Sequence, residues 1–179
     1  PWTNLNLVKR GEEHPDYDLV KVFYKLISLK RPTVFLMENV PPLKSDPLFK
    51  ELVHRLSNIG YSVAFKVIKY SDYGAATSRR RLFVVGFING FQAEEFFYRL
   101  EAQKTKPQLV RHAIEKFERV DKGGFPDHEW PNFKTLHRYR YKLLKGKFGG
   151  RFGWYRLDYE KPAPSFGNPM KTYILHPVL

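Results

Sequence analysis

Along the first hundred residues the apolar positions switch between helical and strand spacing. Leu19, Val22, Phe23, Leu26 and Ile27 recur at three- and four-residue intervals after Pro15-Asp16, with acids early and lysines late as the helix dipole favours. That predicts a helix, which Lys30-Arg31-Pro32 stops. Thr33-Val34-Phe35-Leu36-Met37 is then almost wholly apolar, the pattern of a strand covered on both faces. Ser45-Asp46-Pro47 opens a second helix through about Asn58, with Leu48, Leu52, Val53 and Leu56 on one face and Gly60 ending it. Residues 61–70 alternate, with Val63, Phe65, Val67 and Ile68 β-branched or aromatic, and residues 81–88 read as a further strand.

Helix, strand, helix, strand, strand is the order of part of an open α/β sheet. Three strands leave faces and an inner edge in want of cover. No cap or leading element precedes Pro1, so the expectation is that the rest of the sheet lies on another polypeptide or was removed.

From about residue 103 the character changes. Residues 107–117 predict an amphipathic helix (Leu109, Val110, Ala113, Ile114, Phe117), and Lys122-Gly123-Gly124-Phe125-Pro126 is loop. Residues 130–156 hold eight cations (Lys134, Arg138, Arg140, Lys142, Lys145, Lys147, Arg151, Arg156), eight aromatics and no Asp or Glu. Interleaved cations neutralise phosphates, while planar rings stack on unpaired bases or pack the loops that present the cations. The bland alternative is a solvated surface with its aromatics turned inward.

Composition sharpens this picture. Lys plus Arg is 31 against 18 for Asp plus Glu, a formal charge of +13 that points to a polyanionic partner. At 42% hydrophobic and 16% aromatic the chain is too apolar for disorder. No apolar run approaches the ~20 residues that span a bilayer, and no signal peptide is visible, so the expected location is cytoplasmic. Cysteine is absent, which excludes disulfides, thiolate metal sites and a cysteine nucleophile within this chain. The histidines at 14, 54, 112, 128, 137 and 176 show no zinc spacing.

Candidate chemistry sits at two strand ends. Glu38-Asn39-Val40-Pro41-Pro42 follows the apolar strand, where ligands gather in open α/β sheets. Ser78-Arg79-Arg80-Arg81 enters the last strand, and alternation puts Arg79 and Arg81 on one side with Arg80 on the other. Two arginines beside a glutamate form a pocket for a polar, partly anionic ligand such as a nucleotide, or Glu38 makes a structural ion pair with one of them.

The ordered set of motifs resembles the cytosine-5 DNA methyltransferases. Glu38-Asn39-Val40 and the run Tyr73-Gly74-Ala75-Ala76-Thr77-Ser78-Arg79-Arg80-Arg81-Leu82-Phe83-Val84-Val85-Gly86 look like the family's sixth and eighth motifs, with its spacing of one helix and one strand. Residues 155–165 and 172–177 look like the segment leaving its target-recognition domain, and Pro1-Trp2-Thr3-Asn4 like the residues just after its Pro-Cys loop.

What the resemblance implies is specific. A thiolate attacks carbon 6 of a flipped-out cytosine, and carbon 5 takes a methyl group from S-adenosylmethionine. Glu38 hydrogen-bonds ring nitrogen 3 and the exocyclic amine, best while protonated, a state that burial favours in a carboxylate. Arg79 contacts the base carbonyl oxygen and Arg81 lies near the thiolate and phosphate. Asn39, next to Val40, holds the glutamate's loop, and Leu19 lines the cofactor pocket. Double-stranded DNA is the expected partner, within restriction and modification.

Departures also matter. Thr77 stands where the family commonly has Gln, and Ala75-Ala76 where Val-Pro is frequent. The Phe-x-Gly-x-Gly cofactor loop and the Pro-Cys nucleophile are not here, so the chain alone is expected to be inactive, either one subunit of a split enzyme or a truncated form.

The expected architecture is therefore α/β. Residues 1–102 form the later part of a Rossmann-like methyltransferase sheet. Residues 103–170 form a small, mostly irregular or β target-recognition domain, in which Lys134, Arg138, Arg140, Lys142, Lys145, Lys147 and Arg151 contact DNA. Residues 171–179 return toward the catalytic domain. Two alternatives stand beside this reading: a non-catalytic DNA-binding remnant of such an enzyme, and a transfer-RNA cytosine-5 methyltransferase.

Overall fold

The computed structural model describes residues 19–118, 154–166 and 173–177. These fall into two units, one of residues 19–69 with 80–105 and one of residues 70–79 with those from 106 onward.

The first unit is a three-stranded sheet with helices on both faces. Helix α1 (Leu19–Lys30) leads to strand β1 (Val34–Asn39), a short 3-10 turn (Pro41–Ser45) and helix α2 (Pro47–Asn58). Strands β2 (Ser62–Lys69) and β3 (Arg80–Phe87) follow, then helix α3 (Ala93–Glu101). The spatial order is β1-β3-β2, so β3 lies in the middle and runs antiparallel to both neighbours.

Local chemistry sets the boundaries. Asp46 caps α2 by accepting the Leu48 N–H at 2.8 Å, with Pro47 at the first helical position where its missing N–H is harmless. At the end of α1, Arg31 takes a left-handed φ of 48°. Its guanidinium donates to the Ile59 carbonyl and lies over the Tyr61 ring. Tyr61 in turn donates its hydroxyl to the Pro32 carbonyl, and burial raises its pKa against the lowering effect of Arg31.

One face of the sheet carries Phe35, Val63, Phe65, Leu82 and Val84 against α1 and α2, closing a core with Val20, Ile27, Leu43, Phe49, Leu52 and Leu56. Each such side chain contributes roughly 1.5–3 kcal/mol by leaving water. Phe35 meets Phe23 edge-on at 5.6 Å and tilts against Tyr61 at 5.3 Å. The opposite face carries Ser62, Ala64, Lys66, Val85 and Phe87, covered by α3. There the Ser62 hydroxyl accepts the Ala93 N–H at 2.9 Å, and Phe87 packs on Phe96.

One expectation needs correction. The apolar run of β1 is not covered on both faces: Phe35 is buried, while Val34 and Leu36 are 51% and 59% exposed, because α3 packs on β2 and β3 and leaves this side of β1 open. On α1 the buried residues are Val20 and Ile27, with Phe23 and Tyr24 partly covered. Leu19, Val22 and Leu26, which share the same helical spacing, are exposed together with Leu29. An apolar helix can turn either stripe inward, and the partner surface decides. Helix α3 was not read from the sequence at all, although Ala93 and Phe97 stand one turn apart and Glu94 and Glu95 lead it.

The second unit holds helix α4 (Val110–Ile114), a 3-10 turn (Glu115–Phe117) and strands β4 (Trp154–Arg156) and β5 (Tyr173–Leu175), which pair in parallel. The helix expected over 107–117 is thus shorter. Leu109 is extended, and the Val110 and Arg111 N–H groups donate to the carbonyls of Lys161 and Tyr159, which fixes where the helix starts. Arg111 joins Glu115 to Glu160 and stacks over the Tyr159 ring at 4.8 Å.

Candidate active site

Register brings the glutamate and one arginine together. Glu38 pairs with Phe83 across the ladder, so Arg81, two residues earlier on β3, is its diagonal neighbour on the same face. Arg81 Nε lies 2.9 Å from Glu38 Oε1. Arg81 is well covered, its side chain 13% exposed, and it also donates from Nη1 to its neighbour's carbonyl at Arg80. The guanidinium is thereby fixed, and the carboxylate is fixed by it.

Glu38 itself is 45% exposed. The burial expected of this carboxylate is therefore not found among the described residues.

Asn39 works locally. Its side-chain oxygen accepts the Val40 N–H at 2.8 Å, turning the chain off the strand directly after the glutamate. Val40 packs against the core, accepts the Leu43 N–H at 3.1 Å and hands the chain to Pro41-Pro42. Tight anchoring on both sides leaves the Glu38 backbone little freedom.

Arg79 belongs to the second unit. Its N–H donates to Thr77 Oγ1 at 3.3 Å and its carbonyl accepts the Tyr70 N–H at 2.9 Å. Thr77 therefore has a definite task in the turn that precedes Arg79. Arg80 is exposed. Leu19, the first residue of α1, is 52% exposed. Lys134, Arg138, Arg140, Lys142, Lys145, Lys147 and Arg151 lie outside the described residues. Arg156 ends β4 and donates to the Pro177 carbonyl at 2.9 Å.

Sequence reasoning missed the residue that holds the arginine loop. The 70–79 excursion bridges in parallel to Ala163, between Pro162 and Pro164. Those prolines were visible in the sequence, but nothing in the spacing told which strand the segment would meet.

A small antiparallel sheet of this order, with helices on both faces, is a mixed α/β fold. The solved structure of a "putative DNA modification methyltransferase encoded within prophage" from E. coli is similar over 79% of this chain and 55% of that one, with a TM-score of 0.50 at 19% identity. The sequence goes further: residues 8–158 match the C-5 cytosine-specific DNA methylase family, and the chain belongs to it. Among relatives, the type II methyltransferase M.MthTI of Methanothermobacter thermautotrophicus is 44% identical over 73 residues, 37% of this chain and 22% of that protein. The "Putative type II methyltransferase M.MJ0563P" of Methanocaldococcus jannaschii is 29% identical over 146 residues, 80% of this chain and 44% of that protein. The chain spans less than half the length of these relatives.

Proposed function

We propose that this chain is the base-gripping and DNA-reading part of a DNA (cytosine-5-)-methyltransferase. The observation that carries the reading is the Glu38–Arg81 pair at the carboxyl end of β1, in a chain of this family. Glu38 faces ring nitrogen 3 and the exocyclic amine of a flipped-out cytosine, and polarises the ring for attack at carbon 6. Arg81 holds that carboxyl in place and leaves positive charge beside the phosphate and the incoming thiolate, while Arg79 takes the base carbonyl oxygen. Asn39 and Val40 set the loop that delivers the glutamate. The cations Lys134, Arg138, Arg140, Lys142, Lys145, Lys147 and Arg151 supply phosphate contacts on double-stranded DNA, with a few reaching base edges. A cytoplasmic setting goes with this substrate.

The thiolate comes from elsewhere, since the chain has no cysteine. S-adenosylmethionine supplies the methyl group when bound. Among the described residues proposed to meet it, a single exposed leucine at position 19 offers that cofactor one apolar wall and does not by itself hold a nucleoside. A second polypeptide, or the remainder of a longer chain, is proposed to carry the cofactor loop and the Pro-Cys motif. The exposed apolar residues Leu19, Val22, Leu26 and Leu29 of α1 and Val34 and Leu36 of β1 support that completion. So does the outer edge of β1, which pairs with no strand among the described residues.

The test is to combine the chain with candidate completing polypeptides and measure transfer of labelled methyl groups to double-stranded DNA. Restored transfer that disappears with Glu38→Gln is the expected result. Glu38→Ala should lower turnover ~10²–10⁴-fold with DNA binding nearly unchanged; an equal loss of binding argues against its catalytic role. DNA binding without transfer in every pairing points to a non-catalytic remnant, and transfer to transfer RNA alone to the RNA enzyme.

A further inference from the structure

The excursion 70–79 carries Arg79 out of the ladder, and its backbone closes on itself. Tyr73 and Ala75 N–H groups donate to the Tyr70 carbonyl at 3.1 and 3.3 Å, and Gly74 turns the chain at a φ of 83° that a side chain would resist. Such a turn fixes shape and leaves orientation open. Ala163 fixes the orientation. Its N–H donates to the Ala76 carbonyl at 2.8 Å, and its carbonyl accepts both the Ser78 N–H at 2.8 Å and the Ser78 hydroxyl at 3.1 Å. Thr77 is its bridge partner. Pro162 and Pro164 have no N–H, and Pro164 holds Ala163 in extended backbone. The segment therefore offers one donor and one acceptor in a preset geometry, and all three bonds go to the residues just before Arg79.

We infer that Ser78 is a positioning residue for Arg79, acting through the backbone of Ala163; the inference rests on the catalytic role proposed above for Arg79. Arg81 takes its place from the ladder that also carries Glu38. Arg79, two residues earlier, takes its place from the segment around Ala163. The second unit thus decides the turn that carries the first arginine, and the sheet decides where the second one stands. Ser78 doubles the bond to Ala163 and blocks rotation of the peptide that leads into Arg79.

The test uses the completed enzyme with double-stranded DNA and resolves kcat from KM. Ser78→Ala is expected to lower kcat about tenfold, the scale of a small misplacement, with KM for DNA unchanged. Ser78→Thr, which keeps the hydroxyl, restores kcat. In an Arg79→Ala background Ser78→Ala has no further effect, as two residues acting through one group require. Additive losses, or a loss confined to KM, overturn the inference. Amide hydrogen exchange on the chain itself reads the staple without activity: slow exchange at Ser78 and Ala163 supports it, and exchange as fast as an open loop overturns it. A fully active Arg79→Ala enzyme overturns the role given to Arg79 while the exchange result stands, which separates the two failures.

Discussion

Phe35 and Gly86 face each other across the β1–β3 ladder, and the phenyl ring fills the space that a side chain at 86 would need. Gly86 is buried in the middle strand, and Phe35 is 6% exposed between Phe23 and Tyr61. A methyl group on Gly86 runs into the ring, which has no slack to move. Gly86→Ala should therefore destabilise the first unit by ~1–3 kcal/mol, as overpacking does, read as a lower urea midpoint. Pairing it with Phe35→Leu should recover part of the loss; a neutral Gly86→Ala would mean the ring is free to shift.

The exposed stripe of α1 predicts association. Leu19, Val22, Leu26 and Leu29 are each more than half exposed and follow one another at three- and four-residue steps. The isolated chain should self-associate, and Val22→Lys with Leu26→Lys should sharpen it toward a monomer in sedimentation velocity. The same pair should weaken recovery of methyl transfer with the completing polypeptide. Unchanged recovery would place the partner elsewhere.

DNA binding should follow the basic run. Lys142→Glu with Lys145→Glu should lower affinity and flatten the dependence of log K on log salt by ~0.9 for each phosphate that no longer has a cation beside it. Equal affinity and an equal slope would show that these lysines stand away from the DNA backbone.

Stability should fall in acid. Glu101 is held below its ordinary range by hydrogen bonds from Lys104 and Lys66, and Asp158 by one from Lys161 and by the Glu160 N–H. A lowered folded pKa stabilises above the unfolded value, so the contribution is complete above the ordinary carboxylate range and is lost as pH drops through the lowered values. These groups are partly exposed, so each effect is small. Urea midpoints measured downward from neutral pH should decline, and Glu101→Gln should flatten part of the slope.

Element types were largely legible. Asp46-Pro47 announced α2, Gly60 its end, and Lys30-Arg31-Pro32 the end of α1, because caps and stops act within a few residues. The pairing of Glu38 with Arg81 was half legible: alternation gave the side of the strand, while the choice between the two arginines needed the register. Which stripe of α1 turns inward and which strand lies in the middle could not be read, since both depend on surfaces distant in sequence.

By itself the sequence determined the family, the lack of a thiol in this chain and the strand end at which the carboxylate stands. These are matters of residue type and short spacing, which no packing can alter. The tertiary structure alone decided that β3 runs between β1 and β2, that Arg81 is the partner of Glu38, and that Ala163 holds the loop of Arg79. Hydrogen bonds between segments some eighty residues apart, such as Ser78 to Ala163, are chosen by which backbone groups remain unpaired when the sheet is built, and local sequence carries no record of that choice.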